Sequence, residues 1–213
     1  MQYGKYEMNK INYDLKLKEE IKLLEGQRKK VLLHSCCAPC STAVIERLFP
    51  YFDITVFFFN PNITESEEYY VRLNEQKKFL KTAYEDKVPL IEGRYKSREF
   101  FIMVEGLEKE PEGGKRCDLC FDSRLRECAT VAKEGGYGYF CTTLTVSPHK
   151  NSQLINEIGE KIGNEVGVKF LFSDFKKENG YKRSIELSKE YDLYRQNYCG
   201  CLYSKYAHIK TEE

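Results

Sequence analysis

The chain has 213 residues, 41% of them hydrophobic and 31% charged, with a formal net charge of +1. These values are typical of a globular protein and exclude a disordered chain. Its apolar runs are much shorter than the roughly 20 residues that span a membrane, and its N-terminus lacks the apolar centre of a signal peptide, so we expect a cytoplasmic protein. A nearly neutral chain offers no general basic surface, and a nucleic acid would therefore have to bind a local patch.

Predicted strands and helices alternate along the chain. The first predicted element is a helix at 14–26, which has leucine and isoleucine at helical spacing and ends at a glycine. Apolar runs then predict strands at 30–34, 53–60, 87–93, 137–145 and 168–172. The remaining helices are predicted at 41–49, 64–84, 97–107, 119–133, 151–166 and 183–190. This alternation is typical of an α/β fold with a parallel sheet and helices on both faces.

The predicted strands end in segments that contain cysteine and polar residues. In open α/β sheets, ligands bind beyond the C-terminal ends of the strands. Here those ends are predicted at His34–Cys37, Asn60–Asn62, Cys141–Thr143 and Ser173–Asp174. The first cysteines of the chain therefore fall where such a fold places its site.

Nine cysteines give the strongest functional signal in this sequence. In a reducing compartment, clustered thiols are more often metal ligands or redox groups than a disulfide framework. Seven of them form three groups, which are Cys36 with Cys37 and Cys40, Cys117 with Cys120, and Cys199 with Cys201. The isolated Cys128 and Cys141 are expected to be small buried hydrophobic residues.

The adjacent cysteines Cys36 and Cys37 favour an iron–sulfur cluster over zinc. A structural zinc ion gathers four sulfurs about 3.8 Å apart, whereas neighbouring residues of an extended backbone direct their side chains apart. A [4Fe–4S] cluster takes one thiolate per iron at separate corners. The predicted ligands are Cys36, Cys37, Cys117 and Cys120. Cys40 is an alternative ligand, or it packs at the start of a helix.

The Cys199-Gly200-Cys201 segment has a different character. Two thiols separated by one glycine can form a small, strained disulfide that is easily reduced, as in a catalytic pair. The same pair could bind a single metal ion, with a carboxylate such as Asp118, Asp122 or Asp174 completing the site. The residues leave both alternatives open.

Five motifs together resemble the QueH family of epoxyqueuosine reductases. They extend in order from Val31 to Ser204 and read VLLHSCCAPCS, FFFNPNI, EGGKRCDLCFDSRL, CTTLTVSPHKN and YRQNYCGCLYS. The resemblance implies the last step of tRNA queuosine biosynthesis, in which the epoxide of epoxyqueuosine at the wobble position is reduced to queuosine without cobalamin.

The same resemblance implies cofactors, site residues and a fold. A [4Fe–4S] cluster would be held by Cys36, Cys37, Cys117 and Cys120. Cys199 and Cys201 would be the catalytic redox pair or the ligands of an additional iron ion. The fold would be a Rossmann-like α/β domain related to the nucleotide-binding HUP-like folds of tRNA-modification enzymes. In this interpretation 1–213 is one domain, with 1–28 a helical extension and 29–206 the catalytic core.

The implied reaction needs protons, electrons and a tRNA anticodon stem-loop. Converting an epoxide to an alkene consumes two electrons and two protons, and a low-potential donor of the ferredoxin or flavodoxin type would suit a cluster. Proton sources are Cys199, Cys201, His34 and His149. Four segments combine basic and aromatic residues that could bind unpaired bases, namely 94–101, 113–117, 176–183 and 191–198. The last of these is preferred because it adjoins Cys199.

Two other classes of function are alternatives to a reductase. A metal-braced tRNA-binding module would have no need of the Cys199 and Cys201 pair. A general thiol–disulfide oxidoreductase would have no need of the adjacent Cys36 and Cys37. Neither alternative accounts for all three cysteine groups.

Overall fold

A five-stranded parallel sheet forms the centre of the protein. The computed structural model describes residues 10–212, and the side chains of 10–207. The strands are β1 (Lys29–His34), β2 (Phe52–Phe58), β3 (Leu90–Glu92), β4 (Tyr139–Thr142) and β5 (Lys169–Phe170). The α-helices are α1 (Tyr13–Leu23), α2 (Ala38–Leu48), α3 (Ser66–Tyr84), α4 (Ser97–Met103), α5 (Lys115–Glu134), α6 (Ser152–Val166), α7 (Gly180–Glu190) and α8 (Leu202–Glu212).

The central strand β1 contributes to two separate cores. Its residues Val31 and Leu33 pack with α1, α2 and α3, whereas Leu32 packs with α5 and α6 on the opposite face. A strand buried on both faces is apolar at consecutive positions. The predicted α/β fold with a parallel sheet covered on both faces is therefore confirmed. The relation to HUP-like folds is compatible with this architecture and stays a prediction, as does the division into 1–28 and 29–206.

The strand order places a ligand site at the end of β1. The sheet has the order β3-β2-β1-β4-β5. Strands β2 and β3 therefore lie on one side of β1, and β4 and β5 lie on the other. Open sheets bind ligands where the order reverses. His34 of β1 is aligned with Thr142 of β4, and the segments that follow both strands therefore begin side by side.

Helices α2 and α5, which carry two of the cysteine motifs, begin earlier than the sequence predicted. Helix α2 begins at Ala38 rather than 41, because Pro39 is compatible with the first turn of a helix. Helix α5 begins at Lys115 rather than 119, after Gly114. Cys37 consequently precedes α2 directly, and Cys117 lies in the first turn of α5. Both cysteine motifs are at helix N-termini, which carry partial positive charge.

Two further elements differ from the prediction at the C-terminal side of the sheet. The predicted strand 137–145 ends at Thr142, because Thr143–Val146 form a 3₁₀ helix in which the Thr142 hydroxyl accepts a hydrogen bond from the Leu144 N–H. Helix α8 was not predicted and begins directly after Cys201.

Helix α1 is attached to the sheet by apolar packing and an ion pair. Tyr13 and Leu17 are buried, and the Asp14 carboxylate accepts a hydrogen bond of 2.7 Å from Arg47 of α2. The predicted N-terminal extension 1–28 thus packs on the core from Tyr13 onward, and its residues 1–9 lie outside the described part of the chain.

Asp14→Asn should reduce the acid sensitivity of the fold. Burial raises the pKa of Asp14, but hydrogen bonds from Arg47 and Lys18 outweigh burial and hold this pKa below its usual value. A carboxyl group with a lowered folded pKa stabilises the protein above its unfolded pKa, and this contribution is lost as pH falls through the folded pKa. We expect the variant to lose about 2 kcal/mol of unfolding free energy at neutral pH. The difference should begin to shrink below about pH 4, the unfolded pKa, and should vanish only below the lower folded pKa.

Urea denaturation at several pH values measures this difference. Asp53→Asn is the matched control, because Asp53 pairs with Arg28 at the surface, where both side chains are exposed, and such pairs contribute less than about 1 kcal/mol. An equal pH dependence of wild type and Asp14→Asn would contradict the prediction.

Candidate metal and substrate site

Three sulfurs meet directly after β1. The Sγ atoms of Cys36 and Cys37 are 3.8 Å apart, and those of Cys36, Cys37 and Cys40 all lie within 4.8 Å of one another. The expectation that the adjacent side chains diverge is wrong, because the backbone bends at Cys36 and enters α2 after Cys37. A separation of about 3.8 Å also suits tetrahedral zinc, so this pair alone does not select a cluster.

Cys36 is the thiol of this group that ionises most readily. Hydrogen bonds from the thiols of Cys37 and Cys40 hold its pKa well below the usual value, with help from the charges of Arg124 and Lys150. The same contact with Cys36 raises the pKa of Cys37 to about 12, and that of Cys40 is also raised. These contacts favour the thiolate form at Cys36, which is the form of cysteine that binds metals.

The second pair, Cys117 and Cys120, occupies the first two turns of α5. The N–H of Gly113 donates a 3.2 Å hydrogen bond to the Sγ of Cys117. Burial raises the pKa of both thiols, that of Cys120 to about 12. Among the described residues, no group of three potential metal ligands within 4.8 Å includes either of them.

Two cavities meet beside the third pair, Cys199 and Cys201. The smaller cavity is lined by both of these residues together with Cys117 and Cys120. The larger has a volume of about 680 Å³ and is lined by Cys36, Cys40 and Cys199, among others. This volume lies within the usual range for small-molecule sites. The structure thus brings members of all three cysteine groups to adjoining cavities, and Cys199 lines both.

Contacts with the segment between β2 and α3, and with α3 itself, hold Cys199 and Cys201 in place. Arg72 of α3 donates a 3.1 Å hydrogen bond to the carbonyl oxygen of Cys199, and the N–H of Thr64 donates to that of Gly200 at 3.3 Å. Gly200 has φ +118°, which side chains disfavour. Cys199 is half-buried, whereas Cys201 is buried and its pKa is raised to about 11, chiefly by burial.

None of the three carboxylates considered from the sequence lines either cavity. Asp122 pairs with Arg126, and Asp174 lies 3.2 Å from both Lys176 and Ser152. Asp118 has one buried oxygen without a hydrogen-bond partner in the described chain, and burial raises its pKa.

Glu112 is the carboxylate that the sequence analysis missed. It lines both cavities and accepts a 2.8 Å hydrogen bond from the hydroxyl of Ser204. That hydroxyl in turn accepts one from the N–H of Cys199 at 3.2 Å. The only sequence signal was its position five residues before Cys117, in the glycine-containing loop EGGKRC.

A buried arginine lies behind the cysteines. Arg124 of α5 is 1% exposed and donates hydrogen bonds to Asn60 at 2.7 Å and to the Sγ of Cys120 at 3.8 Å. It has no carboxylate partner among the described residues. Its Nε lies 3.3 Å from the ring of His34. Since an unpaired buried charge is costly, Arg124 indicates negative charge in the site.

The two histidines considered as proton sources have different surroundings. His34 is fully buried, lines neither cavity, and its ring nitrogens contact Thr142 and Phe59. Burial, reinforced by the charge of Arg124, lowers its pKa to about 3, so it stays neutral near pH 7. His149 is exposed and lines both cavities.

Lys150, which the sequence analysis also missed, follows His149 and lines both cavities. Burial lowers its pKa, but attraction to Cys199, Cys36 and Cys40 in their thiolate forms outweighs burial and raises it above the usual value. Lysine is common at protein surfaces, so its type alone gave no signal.

Two of the four predicted nucleic-acid-binding segments line the larger cavity. Residues 176–183 contribute Tyr181, and 191–198 contribute Arg195, Gln196, Asn197 and Tyr198. The guanidinium of Arg195 lies 5.6 Å from the Tyr181 ring. One buried oxygen of Gln196 has no partner in the described chain.

The other two predicted segments contribute to the smaller cavity. Segment 94–101 lines it with Phe100, and segment 113–117 lines it with Gly113, Arg116 and Cys117. Arg116 is buried and donates hydrogen bonds to three backbone carbonyl groups, so its guanidinium holds the loop 107–110 in place.

No helix in the described part of the chain is long and apolar enough to cross a membrane.

Thiols lie where the strand order of the parallel sheet reverses, with a buried cation behind them and a substrate-sized cavity beside them. This arrangement is typical of α/β enzymes that carry out thiol or metal redox chemistry. Sequence comparison narrows this class. Residues 31–207 match the family described as Epoxyqueuosine reductase QueH. The chain belongs to this family and is an oxidoreductase.

Similar proteins from several bacteria carry the same description, Epoxyqueuosine reductase QueH. That of Streptococcus pyogenes serotype M1 is 47% identical over 202 residues, which cover 92% of this chain and 78% of the relative. The Staphylococcus epidermidis protein is 47% identical over 209 residues, which cover 94% of this chain and 87% of the relative. The Thermotoga maritima protein is 38% identical over 177 residues, which cover 82% of this chain and 89% of the relative.

Gly200→Ala should destabilise the protein. An added Cβ would lie 2.9 Å from Ile63 and 3.2 Å from Arg72, and alanine also disfavours the φ of +118°. We expect a loss of about 1–3 kcal/mol in unfolding free energy, measured by urea denaturation. Gly138→Ala is the control, because its Cβ would have no neighbour closer than 3.8 Å. Equal stability of the two variants would refute this interpretation of Gly200.

Proposed function

We propose that this protein reduces the epoxide of epoxyqueuosine, at the wobble position of a tRNA anticodon, to the alkene of queuosine. The observation that supports this most is the meeting, at Cys199, of two cavities lined by members of all three cysteine groups. The reaction combines one epoxide with two electrons and two protons to give one alkene and one water molecule. It therefore needs an electron source beside a substrate cavity.

Cys36, Cys37, Cys117 and Cys120 are proposed to hold a [4Fe–4S] cluster, with Cys40 as the alternative ligand beside Cys36. Such a cluster supplies electrons one at a time when it is bound. The donor set suits it, since all four sulfurs lie at or next to the N-termini of α2 and α5, whose partial positive charge favours an anionic group. Arg124, which lacks a carboxylate partner among residues 10–207, suits an anionic occupant better than a neutral one.

Cys199 and Cys201 are proposed to act in catalysis. As a dithiol, the pair releases two electrons and two protons when it forms a disulfide, which is the stoichiometry that the epoxide requires. As metal ligands, the two sulfurs would bind an additional iron ion, and Glu112 is then the nearby carboxylate that could join them.

The larger cavity is proposed to receive the anticodon stem-loop. Tyr181 and Tyr198 offer rings on which unpaired bases can stack, and Arg195 offers a charge for phosphate. The electron donor, of ferredoxin or flavodoxin type, stays a prediction.

Protein purified without oxygen should contain about four sulfides and at least four irons per chain, with dithionite-bleached absorbance near about 400 nm. Cys117→Ser should lose most of this absorbance and sulfide. Cys128→Ser is a matched control on the same helix, because Cys128 is fully buried and contacts the carbonyl oxygen of Leu32 rather than a cavity. Iron beyond four would support a metal at Cys199 and Cys201. A colourless protein with one zinc and no sulfide would refute the cluster and favour a zinc-braced tRNA-binding module.

Cys199→Ser should slow reduction of an epoxyqueuosine-containing anticodon stem-loop by at least about 100-fold. Its affinity for the stem-loop and its sulfide content should stay within twofold of wild type, because the proposed cluster ligands are unchanged. Mass spectrometry of the RNA measures the loss of one oxygen. Full activity of Cys199→Ser would refute the role of the pair, and rapid reduction of insulin disulfides by wild type would favour a general thiol–disulfide oxidoreductase.

A further inference from the structure

Lys150 is a cation at the junction of the two cavities. It lines both of them, as Cys199 does. The charges that act most strongly on it belong to the thiols of Cys199, Cys36 and Cys40. It is half-buried, and Asn151 directly after it caps α6. The backbone of Lys150 is therefore held at a defined position beside the two cavities.

The backbone of Lys150 is fixed while its ammonium group is not engaged. Its N–H donates to the carbonyl oxygen of Ser147 at 3.3 Å, and its own carbonyl oxygen accepts a 3.3 Å hydrogen bond from Lys176. Within residues 10–207, the ammonium group forms no hydrogen bond or ion pair. By contrast, Arg72 pairs with Glu68 at 2.6 Å, and Lys205 pairs with Glu65 at 2.8 Å. A charged group held beside a cavity without a partner indicates that a ligand supplies the partner.

An epoxide presents an oxygen that can only accept hydrogen bonds, and negative charge develops on that oxygen as its bonds to carbon break. A cation placed at this atom stabilises the transition state. Lys150 is suited to this because it lines the same cavities as Cys199, where the proposed electron source and the substrate meet. Of the two histidines considered as proton sources, His34 lines neither cavity, and His149 is exposed.

We propose that Lys150 is a catalytic residue whose ammonium group donates a hydrogen bond to the epoxide oxygen of the substrate. This assignment rests on the proposed function. Both C–O bonds of the epoxide break, a second bond forms between its two carbons, and the oxygen leaves as water with two protons. The two electrons come from the low-potential donor through the protein, and the two protons come from the thiols of Cys199 and Cys201, which take up two more from solvent when the pair is reduced again. Lys150 holds the oxygen during this change and is not consumed.

Two anticodon stem-loops that differ only in the epoxide test the assignment by binding. One carries epoxyqueuosine and the other queuosine, and both are titrated against protein that has first been oxidised and then freed of every reductant, so that no reaction occurs. Wild type should prefer the epoxide, and Lys150→Met should lose about tenfold of that preference, since one charge-assisted hydrogen bond is removed. Lys150→Arg, which keeps a donor, should retain most of it. Lys161→Met, an exposed lysine on α6, is the control and should match wild type.

Single-turnover reduction gives the second measurement. Lys150→Met should react about 100-fold to 1,000-fold more slowly than wild type, with the same iron and sulfide content. The assignment would be overturned if Lys150→Met weakened both stem-loops equally, which indicates a phosphate contact, or if His149→Asn rather than Lys150→Met removed the preference. If wild type is active and Lys150→Met is unaffected, the role of Lys150 would be overturned and the proposed function would stand. A wild type with intact cofactor that neither prefers nor reduces the epoxide would overturn the proposed function as well.

Discussion

The contacts of Arg124 connect the sheet to the cysteine site. Its guanidinium reaches Asn60 after β2, the His34 ring at the end of β1, and Cys120 on its own helix. The N-terminus of α5 is thereby held against the strand ends where ligands bind in this fold. Such a charge is costly to bury without negative charge nearby, and nearby thiols supply that charge only when they are ionised. Sheet geometry and thiol chemistry therefore depend on the same side chain.

Ionisation is unequal among the cysteines, and the inequality has a physical cause. Cys36 is stabilised as a thiolate by two neighbouring thiols and two cations, whereas burial keeps Cys120 and Cys201 protonated. Binding of a metal group to thiols that are mainly protonated releases protons. In the proposed cluster, Cys36 would form the first metal–sulfur bond most readily, and the other thiols would have to release their protons before they could bind.

The sequence predicts the alternation of strands and helices because apolar runs and glycine stops are local signals. It does not predict the start of α5, since Lys115 and Arg116 precede the apolar repeat, or the 3₁₀ helix Thr143–Val146, which is as apolar and buried as a strand. Clustered cysteines are rare enough to mark a site from sequence. Glu112 and Lys150 are common residue types, and only the fold brings them to Cys199, which explains why local patterns missed them.

The C-terminal segment completes the site, although it is far from β1 in sequence. Arg72 of α3 contacts the carbonyl oxygens of Tyr198 and Cys199, and the Thr64 hydroxyl accepts from the N–H of Leu202 at the start of α8. Residues 199–201 are thus fixed to the segments that follow β2, beside the ends of the strands. Because Cys199 lines both cavities, a substrate oxygen held by Lys150 would lie next to the thiol pair that is proposed to deliver electrons. Lys150, just before α6, and Cys199, in the C-terminal segment, would then act on the same epoxide.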